Sequence, residues 1–350
     1  MKKPIYLCGL LSWEKEFICN NSANVSLLTV HIYSTAFVFE SNNHKTVFVS
    51  IDNIGMLVED TMEIRKKIAS ELCIGIENIT IVFTHTHSGP STFSNSEVVK
   101  AYKTLLIKNT VNAAVKANEH LQSSEVGWNV TLGEIGVNRR EKTSEGRVKM
   151  GTNEYGVVDK RIGILAIRNQ NDQQLSGAIV FCTAHPNVLK SDSDFLSGDY
   201  PGMTRRILEQ ILNCPIIIVQ GASGNVNAKY RGSMNAIKHM AYALSGSVLT
   251  MIPSISYNKI YRLHTTSAIL PMKLIEIPEP ERIKNMASLA QEQWGVSTNN
   301  WLEKVLEMYE QNCRQLVIDL EIQLFQINEG SFSGIPMGLS QSQHLISKKK

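Results

Sequence analysis

Cysteine is sparse in this chain and is not spaced as a framework. Six cysteines are scattered over 350 residues, at positions 8, 19, 73, 182, 214 and 313, and no two stand in C-x-x-C spacing. That excludes a disulfide scaffold and a cysteine zinc site, and it fits reduced, mostly buried thiols in a cytoplasmic protein. Cys182 ends the apolar run Ile179-Val180-Phe181-Cys182, where core packing is its expected role. Charge of one sign is lacking too. The net charge is +3 and the sequence pI about 8.4, too weak a field to argue for nucleic acid as a partner. The closing Lys348-Lys349-Lys350 reads as a solvated tail. No apolar run approaches the ~20 residues that cross a bilayer. Met1-Lys2-Lys3 and the short apolar run after it hint at a leader. However, Trp13-Glu14-Lys15-Glu16 offers no small-residue cleavage site, so secretion is not expected. Internal repeats, low-complexity tracts and a clean linker are also missing. What remains is 43% apolar and 19% charged, the balance of a globular protein.

The stretch with most chemical content is Thr84-His85-Thr86-His87-Ser88-Gly89-Pro90. The β-branched run Ile79-Thr80-Ile81-Val82-Phe83 before it predicts a buried strand, and Ser-Gly-Pro stops that strand. Residues two apart on a strand point to one side, so both imidazoles can reach one small volume. Neutral imidazole is a good zinc ligand, although two polar residues can also simply cap a strand end. Thr183-Ala184-His185-Pro186 repeats the pattern at the end of another apolar run. A lone histidine is more often structural. Three at strand ends shift the balance toward a metal.

In chain order, residues 32–40 and 46–51 predict a hairpin turned at Ser41-Asn42-Asn43-His44, and its second strand runs into Asp52. A carboxylate there is either a site residue or a turn former. Helices are predicted over residues 57–72, 96–121, 203–212 and 232–250, and strands over 125–132, 159–167, 177–184 and 215–219. Asp199 and Pro201 suit a helix start. Asn138-Arg139-Arg140 reads as a polar loop, where a guanidinium can fork a carboxylate or carbonyl but is ordinarily just solvated. Gly221-Ala222-Ser223-Gly224-Asn225-Val226-Asn227 lets backbone approach a ligand, yet it is not the G-x-S-x-G elbow of a serine nucleophile. Residues 255–277 read as one bent strand or two, 278–293 and 298–317 as a helical pair, and 321–335 as a closing hairpin. The predicted fold is α/β, a single domain over residues 31–336 with mixed β-sheets flanked by helices and a metal site at strand C-terminal ends. A poorly patterned segment, 1–30, precedes it and a polar tail, 337–350, follows.

Taken in order, these blocks resemble the neutral/alkaline non-lysosomal ceramidases. The histidine motif at 84–90 is similar to theirs. Ala184-His185-Pro186-Asn187-Val188-Leu189 with Leu196-Ser197-Gly198-Asp199-Tyr200-Pro201-Gly202 resembles the second histidine block of bacterial members. The Gly-rich stretch at 220–227 resembles the block that follows, and Val49-Ser50-Ile51-Asp52 and Val137-Asn138-Arg139-Arg140 fit in order and spacing. The resemblance implies a catalytic domain over 31–336 that cleaves an N-acyl amide, a reaction of lipid metabolism, with Zn2+ as cofactor. It makes His85 and His185 the zinc ligands and places His87 beside the metal as a catalytic group. It has Arg139 orient the substrate, with Asn138, Gly224 and Asn225 binding it and Asn227 at a catalytic position. The sequence departs from the family at Asn227, where ceramidases carry serine, at Asn225 in place of aspartate and at Ala228 in place of proline. The family's glutamate and tyrosine ligands have no counterpart after Gly334-Ile335-Pro336.

Two other readings stand beside this one. One is a catalytically inactive, truncated or degraded relative that acts at most as a binding protein, with two histidines plus Asp52 or Asp199 holding zinc weakly. The other is a phosphoesterase using His85, His87, His185 and Asp52, for which a two-metal site needs more carboxylates than the sequence places. The expected partner is a small or lipid-like N-acyl amide, with no nucleic acid and no transmembrane segment. Self-association into a homo-oligomer is left open.

Overall fold

The computed structural model describes residues 6–7, 27–189, 195–294 and 298–336. The expected tail 337–350, most of the expected N-terminal segment, and Cys8 and Cys19 lie outside the described residues. Contacts divide the chain into two units. The described residues up to 266, with 324–336, form the first, and those within 267–323 the second.

The first unit is layered, and side-chain alternation along its strands explains why. The strands Ser34–Ser41 and His44–Ile51 form an antiparallel hairpin. Asn42 and Asn43 turn it with φ of +51° and +63°. A two-residue hairpin turn needs such left-handed pairs, and asparagine tolerates them better than most residues. Ala36, Val38, Val47 and Val49 face one way and pack on the helices Val58–Leu72 and Glu97–Glu119. Phe37, Phe39 and Phe48 face the other way and meet Leu165, Ile167, Ile179 and Ile217 of a second sheet. Phe325 closes this inner layer, with ring centroids 5.5 Å from Phe39 and 5.8 Å from Phe48. The second sheet has Ile164, Ala166, Ala178 and Val180 on its outer face, packed on the helices Asp199–Leu212 and Met234–Met251. Two sheets are thus stacked face to face and covered by helices on both outer faces.

Two parallel pairs set the position of the site. His44–Ile51 pairs with Ile79–Phe83, and Leu175–Cys182 pairs with Ile216–Gln220. Each pair is joined by a helical crossover, so both members of each pair end at the same edge. The C-terminal ends of Ile79–Phe83 and Leu175–Cys182 are where the three histidines begin.

Most sequence elements fall within a few residues of their expected bounds. The clear exception is Asn138-Arg139-Arg140. The expected polar loop is part of a strand, Gly136–Lys142, which pairs antiparallel with Val226–Ala228 and with Val148–Asn153. Its residues lack apolar alternation because it sits in a small three-stranded sheet outside the two main layers. Ladder hydrogen bonds to a strand on each side, rather than an apolar face, hold it.

The second unit contains the helices Pro280–Trp294 and Asn299–Glu310. The strands Leu263–Lys273 and Val317–Ile327 lead into and out of it. Of the four described cysteines, all are free; Cys182 and Cys214 are buried and Cys73 is exposed.

Candidate metal centre

His85 and His87 reach one point by a turn, not by strand alternation. The strand ends at Phe83, and His85 takes φ +64°, a left-handed conformation that few non-glycine residues adopt. Its N–H donates to the Asn53 carbonyl at 2.9 Å, which holds the turn. His87 donates its N–H to the Pro186 carbonyl at 3.0 Å, tying this loop directly to the one after His185. His185 itself bridges to Asn227 of the neighbouring strand, its N–H on the Val226 carbonyl at 3.1 Å.

The three rings converge through one kind of atom. Nε2 of His85 lies 3.2 Å from Nε2 of His185, which lies 3.0 Å from Nε2 of His87. The Nδ1 atoms show which nitrogens carry protons. His85 Nδ1 donates to the Ile54 carbonyl at 2.7 Å, and His185 Nδ1 donates to the Ser223 carbonyl at 3.2 Å. With Nδ1 protonated, Nε2 of both rings presents a lone pair. Two lone pairs facing each other at 3.2 Å repel unless a cation lies between them. Tetrahedral zinc with Zn–N of ~2.0–2.1 Å would separate its nitrogens by ~3.3 Å. The backbone carbonyls behind the rings are the usual outer partners of metal-bound imidazole. His87 differs: it is the most exposed of the three, and among the described residues no partner is recorded for its Nδ1.

The environment keeps the rings of His87 and His185 neutral. Burial, then His85, then Arg139 and Arg231 hold His87 down to about 4. Burial and His85 hold His185 down to about 3, against the Ser223 carbonyl, which raises it. Neutral imidazoles bind a metal without first losing a proton. Among the described residues, the only group of three or more potential ligands is His85, His87 and His185, and it contains no carboxylate. Three imidazoles suit zinc and leave a position open, as in catalytic zinc sites.

The carboxylates the sequence offered are used elsewhere. Asp52 is buried against Arg205, its Oδ2 2.6 Å from Nη1. Asp199 is fully buried and accepts from backbone N–H groups; burial pushes its carboxyl up to about 6.

The remaining site residues surround the cluster. Arg139 donates from Nε and Nη2 to the Gly224 carbonyl at 3.2 and 2.8 Å, and its N–H donates to the Asn225 carbonyl. Two of its five guanidinium donors are therefore spent on fixing the Gly-rich loop. Asn138 is occupied within its own hairpin, donating to the Val157 carbonyl and accepting from the Arg140 N–H. Asn227 is buried and accepts at Oδ1 from Asn187 at 3.1 Å. Ser223 Oγ lies 3.3 Å from His185 Nδ1, as an orienting neighbour rather than a nucleophile. The Ile54 and Ser223 carbonyls and Arg231 were not picked out by the sequence reading. Backbone carbonyls carry no sequence signature, and Arg231 lies in no recognisable motif.

Comparison with known proteins was made against this geometry. Residues 20–231 match the family model described as neutral/alkaline non-lysosomal ceramidase, N-terminal. The chain belongs to that family. Neutral ceramidase B of Dictyostelium discoideum is 27% identical over 199 residues, which are 51% of this chain and 27% of that protein. The crystal structure of neutral ceramidase from Pseudomonas aeruginosa matches with a TM-score of 0.66 at 14% identity, covering 99% of this chain and 64% of that one. A structure titled ceramidase complexed with C2 matches with a TM-score of 0.65 at 14% identity, covering 99% and 65%. These structural likenesses share the fold. The chain spans about a quarter of its curated relative and just under two thirds of the solved structures. No described helix is long and apolar enough to cross a membrane.

Proposed function

We propose that this chain is a zinc-dependent hydrolase of an N-acyl amide, with a ceramide-like lipid amide as substrate class. The observation that carries the reading is the pair of backbone-anchored imidazoles, His85 and His185, whose Nε2 lone pairs face each other at 3.2 Å in a chain of the ceramidase family. These two residues hold the metal. His87 works on the substrate side, because its ring is the most exposed and lacks the carbonyl anchor of the other two.

When bound, zinc supplies a lowered water pKa and a polarised acyl carbonyl. The chain's own residues do the rest. In amide hydrolysis the oxygen of water adds to the acyl carbon, the C–N bond breaks, and the amine leaves with a proton. His87, neutral at pH 7, takes a proton from water and returns one to the departing nitrogen. Arg139 has three N–H donors beyond those on Gly224, and Asn227 keeps its Nδ2 after Oδ1 is taken by Asn187; both supply hydrogen bonds to developing negative charge. Arg231 adds a second positive charge near His87.

One observation favours a second reading. The histidine cluster among the described residues includes no glutamate, a ligand that the family resemblance implies, so a zinc-binding chain without turnover is the alternative. One experiment separates the two: strip the metal from purified protein, restore zinc, and assay N-acyl amides from short-chain analogues to ceramide. Hydrolysis that vanishes on stripping and returns with zinc is the expected result. Zinc binding without turnover selects the second reading, and turnover that is indifferent to metal overturns both.

A further inference from the structure

The two histidine loops come from strands in different sheets, yet their ring nitrogens meet within hydrogen-bond distance. Something must set the separation of the loops, and a third segment touches both. Ser197 donates its N–H to the Ser88 carbonyl at 2.9 Å and accepts at its own carbonyl from Thr86 Oγ1 at 2.8 Å. It therefore grips the His85–His87 loop from two sides. Two residues on, Asp199 Oδ2 accepts from the Val188 N–H at 3.0 Å and the Leu189 N–H at 3.5 Å, just past His185. The Tyr200 hydroxyl donates to the Ala184 carbonyl at 2.6 Å, just before His185.

The segment's own construction shows that it is made for this posture. Asp199 sits at φ +54°, a conformation costly for most residues. It is fully buried, at 0% exposure, with every recorded contact of its carboxylate a backbone N–H. Ser197 Oγ accepts from the Asp199 N–H at 3.0 Å, so the two gripping residues are locked to each other. Gly198 between them leaves a side chain little space: a Cβ there would lie 3.2 Å from Gly202 Cα and from the His31 carbonyl, so backbone would have to give by a few tenths of an ångström. A plain helix start needs none of these contacts with residues 84–88 and 184–189.

We infer that residues 197–200 form a brace that holds the two histidine loops in register, with Asp199 and Ser197 as positioning residues for His185 and for His85 and His87. The brace acts through backbone placement and touches neither substrate nor metal. For metal binding it rests on the zinc reading above. As a mechanical coupling of two loops it stands without it.

Two variants test it. Asp199→Asn keeps the left-handed backbone within reach, but places an amide nitrogen where one oxygen accepted an N–H. Thr86→Val removes one hydroxyl at nearly constant volume, on the opposite side of the brace. In both, zinc affinity by chelator competition is expected to fall about 10- to 100-fold, the range seen when groups behind metal ligands are lost. The visible spectrum of the cobalt-substituted site should shift as well. In the metal-free protein, Thr86→Val should speed hydrogen exchange at the Val188 amide, and Asp199→Asn should speed it at the His85 amide, which is bonded to Asn53 and not to the His185 loop. Each change crosses the brace, which a purely local structural role would not do. Unchanged affinity in both variants, or exchange confined to the substituted side, overturns the inference. If Asp199→Asn does not fold, Thr86→Val decides alone. If the wild-type chain takes no zinc, the zinc reading fails and the exchange experiment alone decides the brace.

Discussion

The His185→Ala variant is expected to lose zinc affinity by more than about 100-fold, while His87→Ala loses less than about tenfold and yet abolishes hydrolysis. His185 is the hub of the cluster, with Nε2 within 3.2 Å of both other Nε2 atoms and only 7% of its surface exposed. Without it, one anchored imidazole remains. Loss of an outer partner alone costs 10–100-fold in affinity, and loss of a ligand costs more. His87 has no carbonyl behind its Nδ1 among the described residues, so little of the metal's hold is built on it. Its removal takes away the proton carrier instead. Titration of the two variants against a zinc chelator, with an amide assay alongside, reads both effects. Equal affinity losses would assign His87 as a third ligand and remove the division of labour drawn above.

The Arg205→Met variant should be the most destabilising single change near the site, by about 3–5 kcal/mol, because it leaves Asp52 as a buried, unpaired carboxylate. The pair is tight and shielded: the contact is 2.6 Å, and the side chains are 5% and 1% exposed. Asp52 also accepts the Tyr33 N–H at 2.9 Å, and the guanidinium lies 4.6 Å over the Tyr33 ring and donates to the His31 carbonyl. Among the described residues Asp52 Oδ1 has no hydrogen-bond partner, so only the Tyr33 N–H remains on the carboxylate once the arginine is gone. Pairing Arg205→Met with Asp52→Asn should recover a large part of the loss, since the cost belongs to the orphaned charge and not to the missing bridge. Urea unfolding of the two single variants and the double variant gives the coupling directly. Simple additivity would show that Asp52 is already accommodated without its partner.

The second prediction marks where sequence reasoning ended. Asp52 at a strand end was legible only as a site residue or a turn former. Its partner was not, because Arg205 lies in a distant helix and the ion pair depends on how the layers stack. The histidines were more legible. Each of the two loops is announced by an apolar strand that stops abruptly, at Ser88-Gly89-Pro90 and at Pro186, and the two strands lie in different sheets whose stacking brings those ends together. Even so, the reason given for their convergence differs from the one found. Alternation along a strand would serve, but His85 leaves the strand and turns through φ +64°. Arg139 is a candidate site residue by family resemblance alone and was illegible as a strand residue, since its strand is held by pairing with Val226–Ala228 and Val148–Asn153 and carries no apolar period. The layers were half legible. Runs such as Ala36-Phe37-Val38-Phe39 are apolar on both faces and so declare a doubly covered strand. Which face meets helices and which meets the second sheet is set by side-chain size and packing, which one sequence does not display.

The central claim is that His85 and His185 hold a metal with His87 beside it, and zinc stoichiometry tests it most directly. Untagged protein would be stripped of metal, incubated with zinc at neutral pH, desalted, and subjected to elemental analysis. The account predicts about one zinc per chain, retained through desalting and absent from His185→Ala. A wild-type chain that emerges without zinc, or with zinc that His185→Ala retains equally, would contradict it.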